Sequence, residues 1–324
     1  MAITQDELDS LARIIPSLRR SMAEAIEEGD PLHGESLTVS RGGVEIPLWL
    51  HRPSKHLAPL LVYLHGGGFA FGDARCADAL LDWTCRAYDA FVLGINFRLA
   101  PEPPYPSARD DVVSSISWCA SHARELDIDP HRIYLMGFSA GADLALASAM
   151  RLRCRSDLTI AGIIAHYPFF DCATDPSRKG ERTLDVPVAM MQAFNAWYCE
   201  NHDPQDPFIS PLYASADQLT GLPPAIMMPV IGDPLFHEAD NLAVRMRDAG
   251  GICMLVPVDG AYHGYIEDAA NERVYRAMES PEVIDARPHR YREAAGRSYV
   301  SALEMFLNRS EDAGSFAGFS EQGM

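Results

Sequence analysis

Two hydrophobic periods alternate along this chain. Apolar residues recur at close to helical spacing at Leu8, Leu11, Ile14, Ile15, Leu18, Met22 and Ile26, predicting a helix that Gly29-Asp30-Pro31 ends. Glu35 to Leu50 reads as two strands joined at Arg41-Gly42-Gly43. Short, continuously apolar runs then alternate with helical stretches. The runs Leu60–Leu64, Phe91–Phe97, Ile133–Met136, Ile160–Tyr167, Ala225–Ile231 and Cys253–Val258 predict strands. Ala77–Tyr88, Ala108–Leu126, an alanine-rich segment after Ser139, Glu238–Ala249 and Arg290–Leu307 predict helices. Strands that are apolar throughout and separated by helices imply an α/β fold: a mostly parallel central sheet flanked by helices on both faces.

The rhythm breaks between Asp171 and Pro224. There Val186–Tyr198 is amphipathic, with Val188, Met191, Phe194, Trp197 and Tyr198 among its apolar positions, and Pro- and Asp-rich stretches flank it. It reads as an inserted helix over the C-terminal edge of the sheet, either a plain cover or a cap lining a substrate site. The expected organisation is an N-terminal helical segment over 1–35 contributing to a cap, a catalytic domain over 36–308 with a cap insertion near 175–220, and a mobile tail over 309–324.

The candidate chemistry centres on Gly137-Phe138-Ser139-Ala140-Gly141, a G-x-S-x-G turn between the strand ending at Met136 and the alanine-rich helix. Side chains at 137 or 141 would collide with neighbouring backbone, and the helix directs its free N–H groups and positive end at Ser139. A serine hydroxyl is a poor nucleophile until a base takes its proton, an acid orients that base, and donors receive the oxyanion. His65-Gly66-Gly67-Gly68-Phe69 follows the strand Leu60–Leu64 and leaves backbone N–H groups uncovered. Gly67, Gly68 and Ala140 are therefore the expected oxyanion donors. No Gly-Lys-Ser/Thr follows, which disfavours a phosphate cradle, and no Gly-x-Gly-x-x-Gly marks a dinucleotide site. Asp233, in Gly232-Asp233-Pro234-Leu235, ends another strand and is the expected acid, although an Asp-Pro turn opening the next helix has the same sequence. Glu238 and Asp259 are the alternative acids. Among the 11 histidines, His263 alone combines a glycine-flanked loop, the last strand and a place after Asp233, which makes it the expected base. Phe69, Phe71, Phe138, Tyr167, Met191 and Phe194 are candidates to line an apolar substrate pocket.

Composition narrows the function. A net charge of −18 would repel nucleic acid and anionic membrane surfaces. Seven scattered cysteines without a C-x-x-C pair fit reduced thiols in the cytoplasm better than a disulfide framework or a zinc site. Residues 1–20 are charged and helical in pattern, so no secretory leader is expected, and no apolar run reaches membrane-spanning length.

Taken together, His65–Phe69, Asn96-Phe97-Arg98-Leu99-Ala100-Pro101-Glu102, Gly137–Gly141, Ser210-Pro211-Leu212, Asp233-Pro234-Leu235 and His263-Gly264 resemble the hormone-sensitive-lipase-like group of α/β-hydrolases, over roughly residues 55–270. The resemblance implies a Ser139/His263/Asp233 triad, an oxyanion hole at Gly67, Gly68 and Ala140, and a helical cap. It also implies hydrolysis of small carboxylic esters without metal or organic cofactor. An amidase, lactonase or deacetylase would use the same triad, whereas a receptor on this scaffold would be expected to lack the nucleophile or base. Arg98 and Glu102, opposite charges around a proline turn, read as a structural pair, and His65 as a scaffold residue. Three departures bear on substrate preference and leave a homodimer open. Phe138 replaces an acid usual in the group, Asn96 stands for its usual Asp, and the stretch after His263 is long, with 271–286 rich in charge.

Overall fold

The computed structural model describes residues 3–180, 186–276 and 290–310; much of the charged stretch 271–286 and nearly all of the expected tail lie outside them. Eight strands form one sheet in the order β1-β2-β4-β3-β5-β6-β7-β8. They span Glu35–Arg41 (β1), Val44–His51 (β2), Ala58–Leu64 (β3), Phe91–Ile95 (β4), Ile128–Phe138 (β5), Ile160–His166 (β6), Ala225–Met228 (β7) and Cys253–Leu255 (β8). β2 runs antiparallel to β1 and β4, and the pairs from β4 through β8 are parallel. The helices are α1 (Gln5–Glu27), α2 (Asp78–Tyr88), α3 (Ser107–Ser121), α4 (Ala123–Leu126), α5 (Ala140–Leu152), α6 (Val188–Cys199), α7 (Ala216–Leu219), α8 (Phe236–Asp248), α9 (Tyr265–Ala270), α10 (Glu272–Arg276) and α11 (Tyr291–Glu304).

The parallel strands are apolar throughout because both faces are covered. In β3, Leu60, Val62 and Leu64 join the core beneath α3, α5 and α8, while Leu61 and Tyr63 join the opposite core with α2 and α11. The same period of two divides β5: Ile133 and Leu135 face the first core, and Tyr134, Met136 and Phe138 the second. Helix α5 packs against β5, β3, β6 and α3, and all its residues but Arg151 are buried. Alanines dominate it because a central helix enclosed on all sides leaves little room for long side chains. α1 begins at a capping box between Thr4 and Glu7 and packs against α6 and α10.

Several expected boundaries move for local reasons. Pro229 cannot donate to the ladder, so β7 stops at Met228, and Val230 adds only an isolated bridge to Val258. β5 begins at Ile128, five residues before its apolar run, because Ala58 pairs with Ile128 across a register shift. The helix expected over 108–126 divides at His122 into α3 and α4, and Asp127 ends it in the left-handed conformation.

The expected Arg98–Glu102 pair is not formed. Arg98 instead holds Asp111 of α3 through two guanidinium nitrogens and its own backbone N–H (2.7–3.1 Å), and the exposed Glu102 meets Arg19 of α1 at 3.6 Å. The buried Asp111 carboxylate needs several donors, and the fork of Arg98 supplies them in one plane, which a pairing around the proline turn would not. Replacing Asp111 by alanine should strand that guanidinium and lower stability by about 2 kcal/mol. This is less than the roughly 3–5 kcal/mol of a fully buried pair, because Arg98 remains partly hydrated. A urea denaturation midpoint unchanged from the parent would contradict this.

Candidate active site

β5 ends at Phe138 and α5 begins at Ala140, so Ser139 alone makes the turn, at φ 51° and ψ −117°. This conformation is unfavourable for any residue with a Cβ, and the surrounding backbone holds it. The Ser139 N–H donates to the His166 carbonyl (3.1 Å), and the Ser139 carbonyl accepts from Ala142 and Phe169. The flanking glycines are required by contact. A Cβ on Gly137 would lie 2.2 Å from the Gly141 carbonyl oxygen, and one on Gly141 would lie 2.1 Å from that of Leu64. The helix therefore presses directly on the ends of β5 and β3.

Three side chains distant in sequence meet above this turn. Ser139 Oγ lies 2.7 Å from His263 Nε2, and His263 Nδ1 lies 2.7 Å from Asp233 Oδ2. A carboxylate only accepts, so His263 carries its proton on Nδ1 and offers the Nε2 lone pair to the serine hydroxyl. Burial disfavours the imidazolium, but Asp233 outweighs it, aided by Glu267 and Glu238, and the His263 pKa stands above its ordinary 6.5. The two sequence readings of Asp233 hold together: Oδ2 meets His263 while Oδ1 accepts the Leu235 N–H (2.8 Å) that opens the turn into α8. Of the alternative acids, Asp259 is exposed and accepts from Gly260 (2.9 Å). Glu238 is occupied by Lys179 Nζ (2.8 Å) and the Phe170 N–H (2.6 Å).

The glycine loop lies beside Ser139. Gly67 and Gly68 have φ of 111° and 59°, and neither donates its N–H to a backbone carbonyl among the described residues. Ala140 is the first residue of α5, where an N–H has no partner within the helix. His65 is buried, stacked on Phe97 (ring centroids 4.2 Å apart) and bonded through Nδ1 to the Gly66 carbonyl; burial lowers its pKa. These contacts leave it a scaffold for the loop. Asn96, at the position of the group's Asp, accepts from the Ala74 N–H (2.7 Å) and donates to Asp73 Oδ1 (3.2 Å), where a second carboxylate would repel the first.

The six expected pocket residues do not share one wall. Phe138 has no exposed surface and is enclosed by Tyr63, His166, Tyr167 and Tyr299, because strand alternation turns it to the α11 side of the sheet, away from Ser139. Phe69 is equally enclosed, stacked on Tyr198 with centroids 3.7 Å apart. Tyr167 sets its ring edge against His263 (5.1 Å), supporting the imidazole. Met191 and Phe194 lie on α6. Phe194 meets Phe71 (5.6 Å) and covers Gly68 so closely that a Cβ there would fall 2.3 Å from its ring. Sequence reasoning missed Glu267, which accepts the Gly66 N–H from a position about which no short-range pattern gives a signal.

A sequence profile of the alpha/beta hydrolase fold matches residues 61–267, which contain the glycine loop, the elbow and both partners of Ser139. The chain belongs to this family, in its hormone-sensitive-lipase-like branch. It is 32% identical to the carboxylic ester hydrolase LipN of Mycobacterium tuberculosis, over 82% of this chain and 72% of that protein. It is 29% identical to an ethyl acetate hydrolase of Pseudomonas putida, over 85% and 89% respectively. Among solved structures, the thermophilic carboxylesterase EstE1 from a metagenomic library superposes with a TM-score of 0.67 at 26% identity, covering 84% of this chain and 98% of that one. A thermostable esterase from Pseudomonas putida shares the fold at a TM-score of 0.72 and 21% identity, over 95% and 98%.

Gly141→Ala should force α5 away from β3 and displace Ser139. We expect turnover to fall by more than about 100-fold and stability by roughly 1–3 kcal/mol, the usual cost of overpacking. Steady-state kinetics and thermal melting of the purified variant measure both.

Proposed function

We propose that the protein is a serine hydrolase of carboxylic esters, acting through an acyl-enzyme on small or aryl esters. The observation that carries this reading is the hydrogen-bonded series Ser139–His263–Asp233 beside a glycine loop with uncommitted N–H groups. Ester hydrolysis among its relatives supports the same reading.

In this mechanism Ser139 Oγ attacks the ester carbonyl as His263 Nε2 accepts its proton, and Asp233 stabilises the imidazolium. The oxyanion accepts from the N–H groups of Gly67, Gly68 and Ala140. His263 then protonates the leaving alcohol. Water repeats the cycle on the acyl-enzyme, with His263 again as base. Helices α1 and α6 serve as the cap, and Phe71, Met191 and Phe194 form the apolar wall offered to the substrate. Among the described residues no helix is long and apolar enough to cross a membrane, and all seven cysteines are free, which supports action in the cytoplasm.

Ser139→Ala should abolish hydrolysis of p-nitrophenyl acetate, a loss of several orders of magnitude, while the circular dichroism spectrum stays that of the parent. An organophosphate should modify the peptide containing Ser139 in the parent protein, as read by mass spectrometry. Neutral His263 is the required base and its pKa is raised, so kcat/KM should fall as the pH drops through a value above 6.5. A pH profile flat well below that point would contradict the assignment of His263.

A further inference from the structure

Glu267 lies in α9, one helical turn beyond His263, and 6% of its surface is exposed. Its carboxylate is surrounded by donors from three other segments. Oε1 accepts from the Gly66 N–H (3.0 Å) and Tyr63 Oη (3.2 Å), and Oε2 accepts from Tyr167 Oη (3.3 Å). Tyr63 is the penultimate residue of β3, Gly66 is the first glycine of the loop, and Tyr167 packs edge to face with the His263 ring. The fit at Gly66 is close: a Cβ there would lie 2.7 Å from Oε2. One side chain thus touches the segment bearing Gly67 and Gly68 and, through Tyr167, the imidazole.

We propose that Glu267 is a positioning residue, whose buried carboxylate clamps the start of the glycine loop to the turn that carries His263. This rests on the roles given to Ser139, His263 and the glycine loop above. Burial raises the Glu267 pKa, and the Gly66 N–H, the two tyrosine hydroxyls and His263 oppose that rise and favour the ionised carboxylate. The clamp works in two ways. It fixes the Gly66 peptide, and with it the direction of the next two N–H groups, which act only on the oxyanion of the transition state. It also places a negative charge near His263 in addition to Asp233.

The titratable groups facing this region are few. His263 has Asp233 and Glu238 from the α8 side and Glu267 from α9. Glu267 has Tyr63, Tyr167 and His263 around it, and the charge of Glu267 adds to the burial that keeps the Cys76 thiol protonated. Asp268, beside it in sequence, is bonded to Tyr262.

The test compares two variants of the full chain. Glu267→Leu removes both acceptor and charge, and Glu267→Gln keeps an acceptor for Gly66 but no charge. We expect E267L to lose on the order of 10–100-fold in kcat on p-nitrophenyl acetate with KM within about 3-fold, the pattern of a lost transition-state interaction. E267Q should recover most of that kcat. Without the carboxylate that helps raise the His263 pKa, its acid limb of kcat/KM should move to lower pH. A folded E267L with kcat within about 2-fold of the parent would overturn the proposal. So would an E267Q whose acid limb coincides with the parent's, and this second measurement decides the matter if E267L does not fold. Failure of an organophosphate to label Ser139 in the parent would instead overturn the reading on which this one rests.

Discussion

The contact between helix α5 and the ends of β3 and β5 governs what the rest of the molecule can do. With no side chain at 137 or 141, the first turn of the helix closes onto the carbonyl of Leu64, and Ser139 has only its positive-φ conformation left. The strain at one residue is offset by burial of nearly the whole helix among four neighbouring elements. Every other part of the site is built relative to this fixed point. The glycine loop leaves β3 on one side of it, and the loops after β7 and β8 bring Asp233 and His263 from the other. Parallel strands collect such loops at one edge, so residues as distant in sequence as Gly67 and His263 reach a common centre without long excursions of chain.

Acidic groups are concentrated beneath this centre. Asp233, Glu238 and Glu267 are all buried, and each is met by donors: the His263 imidazole and the Leu235 N–H, Lys179 and the Phe170 N–H, and the Gly66 N–H with two tyrosines. Burial raises the pKa of Glu238 to about 7 when taken against its partners, yet Lys179 lies 2.8 Å away and stays protonated, which favours the ionised pair. Buried ion pairs of this kind contribute more to fixing one geometry than to net stability. Glu238 and Glu267 fix the backbone at Phe170 and Gly66, on either side of the elbow.

Much of this was legible in the residues. The elbow, the glycine loop and the strand-helix alternation each have a local signature, since a steric requirement for glycine or a period of two leaves its mark within a few positions. The partnership of Asp233 with His263 was legible only as an order of motifs, and their convergence needed the sheet. Three features were not legible, and for a common reason. The Arg98 partner is 13 residues away rather than four, the inward turn of Phe138 depends on the parity of β5, and Glu267 carries no motif of its own. Side-chain partners chosen by tertiary contact have no short-range pattern to announce them. Helix α6 was visible as an amphipathic break in rhythm, but its seating on Gly68 was not.

That seating sets a single aromatic ring against the glycine loop. Phe194 packs over Gly68, so α6 and the glycine loop share one van der Waals boundary. With α6 as the proposed cap, a bulky acyl group would have to displace that ring and disturb the packing of α6 on α1, whereas a compact one could slip beneath it. Size discrimination would then be set by how firmly two helices adhere, and exchanges far from the serine, along the inner face of α1, would change which molecules are admitted without altering any group that handles a proton.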